Sequence, residues 1–136
     1  MAKNTGELKR IEVKYIRDGI KSKYPEKEFC LICDTTDDLE FHHYHSVDLL
    51  WEKWKKSNNV KVETAEEIME VREQFYADHY FELVDDGACL CNEHHKLLHK
   101  IYGVKPLLTT AGKQRRWTRI QREKRGLQWP YPDTEE

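Results

Sequence analysis

The sequence predicts a mostly helical α+β fold with two short strands near its centre. Three observations carry this: four stretches with helical apolar spacing, two strand-like runs that each lie beside a histidine cluster, and cysteines paired close to both. With 136 residues the chain is the size of one domain with an appendage. Charged residues make up 35%, but fifteen aromatics argue against disorder. So short a chain buries a modest core, and a structural metal would stabilise it.

The elements follow in order. Residues 7–22 read as an amphipathic helix, with Leu8, Ile11 and Tyr15 on one face and Val13, Ile16 and Ile20 close by; Tyr24-Pro25 ends it. Cys30-Leu-Ile-Cys33 has the spacing of a zinc knuckle, Asp34–Asp38 makes a turn, and Leu39–His43 reads as a strand. Ser46 caps a helix through Lys56 with Val47, Leu50, Trp51 and Trp54 on its stripe. Thr64 and Glu67 form a capping box for a helix running to about Phe81 along Ile68, Val71 and Phe75. Asp85-Asp86-Gly87 is a turn, Ala88–Cys91 a strand, and Glu93–Tyr102 a helix closed by Gly103. A last basic helix spans about Thr110 to Arg125, and the tail after Pro130 is expected to be loose.

Net charge is −2, but the average hides a pattern. Residues 1–23 carry seven Lys/Arg against three Asp/Glu, residues 57–86 two against nine, and residues 111–125 seven against one. Basic ends suit phosphate backbones, so near-neutrality does not exclude nucleic acid. No apolar run near the N-terminus suits a signal peptide and none spans a membrane; the expected location is cytoplasmic, where thiols stay reduced and paired cysteines point to metal or redox chemistry.

Six of the seven histidines form two groups: His42, His43 and His45, then His94, His95 and His99. Cys30 and Cys33, with Cys91 and His94 at the same three-residue step, make a Cys3His set suited to a closed structural zinc site. Cys89 shares a strand face with Cys91 and reads as a core residue. His95 and His99, at i and i+4, can bind one metal. A strand sends His42 and His43 to opposite faces, so one can complete that site while the other acts nearby. A two-Cys two-His finger fails on spacing, because eight residues rather than about twelve separate Cys33 from His42.

Cys30-x2-Cys33, Leu39-Glu40-Phe41-His42-His43 and Cys91-x2-His94-His95-x3-His99 resemble the signature of the HNH endonucleases, the ββα-metal or His-Me finger family. The resemblance covers residues 29–43 and 86–101. It implies a nuclease core at 29–103 interrupted by a helical insertion at about 46–82, preceded by the basic helix of 1–28 and followed by the basic helix and acidic tail of 104–136. By resemblance His43 is the general base, His42, His95 and His99 hold a catalytic divalent ion (Mg, Mn, Ni, Co or Zn), and Cys30, Cys33, Cys91 and His94 hold structural zinc, with His94 where a fourth cysteine is usual. The family's middle Asn, which orients the base, is matched by Asp86, an acceptor without an amide's donors. About forty residues separate His43 from Asp86; their two helices read as a packing layer, with His79 structural.

The implied activity is hydrolysis of DNA phosphodiester bonds, leaving 5′-phosphate and 3′-hydroxyl ends, by nicking or double-strand cleavage. Lys113, Arg115, Arg116, Arg119, Arg122, Lys124 and Arg125 are candidates for gripping the backbone, against the alternative of a solvated helix. Three other readings compete. A non-catalytic zinc-stabilised DNA-binding module leaves the four clustered histidines unexplained. A small-substrate phosphodiesterase would not need the basic ends. A redox protein lacks the βαβ context. Substrate structure, monomer or homodimer state, and a phage, mobile-element, restriction or repair setting stay open.

Overall fold

The computed structural model describes residues 5–132, with side chains from Glu12 onward. Among the described residues five α-helices accompany one two-stranded antiparallel sheet: α1 (Thr5–Asp18), β1 (Leu39–His43), α2 (Val47–Ser57), α3 (Ala65–Asp78), β2 (Gly87–Cys91), α4 (Asn92–Tyr102) and α5 (Ala111–Lys124). The fold is mostly helical α+β, as the sequence predicts. The register pairs Leu39 with Cys91 and His43 with Gly87. No described helix is long and apolar enough to cross a membrane.

Local chemistry explains most boundaries. Ser46 accepts from the Leu49 N–H to start α2, and Thr64 and Glu67 make the reciprocal capping box of α3. Gly103 closes α4 at a φ of 96° and Gly126 follows α5 at 75°, conformations open to glycine at little cost. Three expectations need correction. α1 ends at Asp18, and a 3-10 turn at Lys21–Lys23 covers the remainder; Tyr24 is extended, as the residue before proline should be. α3 stops at Asp78, and the chain continues through a π-helical turn, Phe81–Asp85, that aims Leu83 and Val84 inward. Asp85 belongs to that turn, and β2 already begins at Gly87. The side chains of Leu8 and Ile11, and the acidic tail from residue 133, lie outside the described residues.

Two apolar clusters form. Ile16 of α1 and Ile20 just after it pack with Leu50, Trp51 and Trp54 of α2, Ile68 and Phe75 of α3, and Leu83. The buried carboxylate of Glu12 accepts from Trp51 Nε1 at 2.9 Å and from Lys55 Nζ at 2.7 Å, so its charge enters the interior paired. The second cluster joins the knuckle (Cys30, Leu31, Ile32), the hairpin (Ala88, Leu90, Cys91), Leu98 of α4 and Ala111 of α5. The hairpin, α4 and the knuckle form the frame that positions the clustered histidines.

Candidate active site

β1 presents its side chains with a period of two. Glu40 and His42 turn toward α4, while Phe41 and His43 turn toward Tyr24, whose ring stacks on Phe41 at 4.9 Å. Gly87, opposite His43, permits this: a Cβ there would collide with the Phe41 ring and lie 2.7 Å from the His42 carbonyl oxygen.

His42, His95 and His99 converge. His42 Nδ1 and His99 Nε2 each lie 3.1 Å from His95 Nε2. The opposite ring nitrogens are all committed. His42 Nε2 meets Gln114 Oε1 at 2.7 Å, His95 Nδ1 meets Glu40 Oε1 at 2.7 Å, and His99 Nδ1 meets the Gly103 carbonyl at 2.8 Å. Each of those partners is an oxygen acceptor, so each ring places its single proton there. The orientation of Gln114 is fixed as well, because its amide donates to the Tyr44 carbonyl at 3.1 Å and faces Thr110 Oγ1 at 3.0 Å. Three bare lone pairs are thus left facing one another with no hydrogen between them. A cation resolves that repulsion, and three nitrogens about 2.0–2.1 Å from a tetrahedral ion stand about 3.3 Å apart. Burial holds His42 down to about 3, and burial lowers His95 despite the opposing carboxylate of Glu40, so both rings stay neutral, as metal ligands must.

Gln114 is fully buried and makes no contact with the converging nitrogens themselves, so it acts as a positioning residue. Gln114→Leu should weaken divalent-ion binding at the three histidines about 10–100-fold, while Gln114→Glu, which keeps an acceptor, should bind near wild type. Cobalt titration followed by d–d absorption checks this; equal affinity for Gln114→Leu would remove the role.

His43 lines the same cavity, of about 230 Å³, as His42, His95, His99 and Arg17. Its ring is hydrogen-bonded to the backbone of Leu83, and its Nε2 is buried without any partner. Burial, then the Arg17 guanidinium, hold His43 down to about 4. A neutral imidazole with one nitrogen anchored and the other bare is a proton acceptor awaiting a donor.

The second cluster contains Cys30, Cys33, Cys91 and His94, whose ligand atoms all lie within 4.8 Å of one another. Cys91 Sγ stands 3.3 Å and Cys30 Sγ 3.8 Å from His94 Nδ1, and Cys33 Sγ lies 4.0 Å from Cys91 Sγ. These edges suit a tetrahedral Cys3His ion such as zinc. Burial pushes the Cys30 thiol up, but the backbone N–H groups around it, Ile32 N at 3.4 Å among them, outweigh that and favour thiolate. Cys89 falls outside the set and is half-buried beside it.

Asp86 faces His45 and α5. It makes no hydrogen bond to His43; its carboxylate takes His45 Nε2 at 2.7 Å and Arg115 Nε at 3.0 Å, with a second contact from the same guanidinium. Asp86 ties the start of β2 to α5. Asp86→Asn should therefore leave cleavage near wild type and cost about 1–2 kcal/mol of stability, read from denaturant midpoints; a rate gain of about a hundredfold would return Asp86 to the base.

The basic residues of α5 also separate. Lys113, Arg116, Lys124 and Arg125 are exposed, and Arg115 and Arg119 are half-buried. Arg122 is corrected: it is buried, donates to the Leu31 and Gln128 carbonyls and pairs with Asp34, so it braces the knuckle and is withdrawn from the phosphate-facing set. Arg125 reaches His94 Nε2 at 2.9 Å. Glu40, Gln114, Arg17 and Leu83 were not singled out from sequence. Glu40 had a signal, since it stands two residues before His42 on one strand face.

The family model for phage T5 nicking endonucleases, described as the nicking endonuclease family, matches residues 1–127. The chain belongs to the nicking endonuclease family. This member of the family carries, within the matched span, both a Cys3His cluster and a three-histidine cluster that could hold a metal. No solved structure gives a significant match to it.

Proposed function

We propose that this nuclease is of the HNH type and hydrolyses one DNA strand with His43 as general base, beside a divalent ion held by His42, His95 and His99. The observation that carries the reading is the meeting, in one small cavity, of three proton-free ring nitrogens and the unpartnered Nε2 of His43. His43 Nε2 accepts a proton from water, and the resulting nucleophile attacks the phosphorus in line. The P–O3′ bond breaks on the side of the three histidines and the 3′ oxygen takes a proton from solvent water, giving 3′-hydroxyl and 5′-phosphate ends. An ion held by His42, His95 and His99 would supply positive charge to the transition state. Leu83 holds the base, and Glu40, Gln114 and the Gly103 carbonyl hold the ligand rings.

An all-imidazole set suits Zn, Ni, Mn or Co by ligand softness better than Mg. The Cys3His cluster is read as structural zinc, since it has four protein ligands and no open position. The exposed cations of α5 supply the backbone grip. Among the described residues there is one three-histidine cluster, so one chain would cut one strand per visit. The test is supercoiled plasmid incubated with protein and Mg, Mn, Ni, Co or Zn, with and without chelator. Open circles should accumulate before linear product, and only with an ion; intact plasmid under every condition would leave a non-catalytic zinc module.

A further inference from the structure

A second concavity opens on the other side of His43. It has a volume of about 570 Å³, is lined by Arg17, Lys21, Tyr24, Lys27, Phe41 and His43 along with Pro25, Glu26 and Glu40, and shares Arg17, Phe41 and His43 with the smaller cavity. We infer that this groove binds a single unstacked nucleotide of the strand being cut, on the side that keeps the 5′-phosphate. The inference rests on the nuclease reading for its place in the reaction.

Size is the first support. The volume falls among the ~300–1,000 Å³ sites that take small ligands, room for one nucleotide and not for a base pair with both its backbones. Charge is the second. Three cations line the groove against two carboxylates, and Glu40 is already engaged by His95 and by Asn92 Nδ2 at 2.9 Å. The Lys21–Asp18 pair is exposed and holds its cation weakly, and the half-exposed Arg17 shares Asp48 with Lys105, so a phosphate can compete for both cations.

The aromatic wall is the third. Tyr24 stacks on Phe41 with 26° between the planes, and His43 meets both rings edge-on at 5.0 Å. Pro25 holds Tyr24 extended, and Gly87 clears the space that Phe41 fills. A half-buried ring on a stiff dipeptide is a stacking platform for a base. Direction follows from the chemistry. The leaving 3′ oxygen faces the three histidines, so the product that retains phosphate lies on the His43 side, where the groove begins.

The probe is deoxyadenosine 5′-monophosphate, titrated into the zinc-loaded full chain and followed by NMR, with inorganic phosphate and deoxyadenosine titrated alongside. The nucleotide should shift the ring signals of Tyr24 and Phe41 and the signals of Lys21 and Lys27, and phosphate alone should leave the rings unmoved. Tyr24→Leu should weaken the nucleotide about tenfold without changing phosphate binding, and Tyr24→Phe should bind as wild type. Should Tyr24→Leu fail to fold, the exposed Lys27→Glu gives the same reading by lowering nucleotide affinity. Ring shifts reproduced by phosphate, shifts confined to α5, or wild-type affinity in these variants would each overturn the groove. Plasmid nicking is scored separately: cleavage without nucleotide binding sinks the groove alone, whereas intact plasmid sinks the nuclease reading.

Discussion

His43→Ala should lower the nicking rate by about 10²–10⁴-fold while divalent-ion affinity at His42, His95 and His99 stays unchanged. The separation follows from the strand: His42 turns to α4 and His43 to the opposite face, and no ligand nitrogen depends on the His43 ring. Single-turnover nicking and isothermal titration of the same preparation check it. A rate within a few-fold of wild type would unseat His43 as the base, and parallel loss of ion binding would make it a ligand. The environment adds a pH expectation. Burial and Arg17 hold His43 at about 4, so the free site has a neutral base well below the ordinary imidazole value of about 6.5. A base of such low pKa is a weak one. An incoming phosphate places negative charge beside the ring, which stabilises imidazolium and raises the pKa toward a useful range. The acid limb of nicking should therefore lie lower for free enzyme than for the enzyme–DNA complex.

Loss of zinc from the Cys3His cluster should unfold the hairpin half of the molecule. Cys30 and Cys91 are themselves members of the second apolar cluster, and His94 sits in the first turn of α4, immediately before His95. Structural zinc contributes about 10–16 kcal/mol in small zinc domains, comparable with the whole stability of a typical domain, about 5–15 kcal/mol. Cys30→Ser or Cys91→Ser should therefore abolish near-ultraviolet circular dichroism and cooperative melting, whereas His42→Ala, which touches only the other cluster, should melt cooperatively without nicking. A Cys91→Ser protein melting within a few degrees of wild type would show that the cluster holds no ion that matters to folding.

What could be read from the sequence was whatever local chemistry specifies. The capping box at Thr64, the Ser46 cap, the glycine stops of α4 and α5 and the alternation of His42 and His43 all depend on neighbours within a few residues, and the structure has them. The end of α3 was not readable, because the apolar stripe runs on through Leu83 and Val84, which enter the first apolar cluster from a π-helical turn and not from α3. The site divided the same way. The convergence of the histidines was visible in spacing, but their partners came from elsewhere in the chain. Gln114 lies 72 residues from His42 in a segment whose evident feature is its cations, and Arg122 looks from sequence like its neighbours until Asp34, 88 residues away, is placed against it. For Asp86 the motif offers a role by position, but its partners, His45 and Arg115, could not be read from the sequence.

The inner stripe of α5 runs Ala111, Gln114, Thr118 and Arg122, all buried. One end of that stripe holds a histidine of the three-histidine cluster and the other braces the knuckle loop, so a single rigid rod links the two. Lys113, Arg116 and Lys124 stand on its exposed side. The helix thereby divides its labour by azimuth: one side is constrained by the three-histidine cluster and the knuckle at once, and the other can change freely with respect to both. Divergence among such nucleases in which DNA they grip should concentrate on the outer azimuth, with the chemistry carried along untouched.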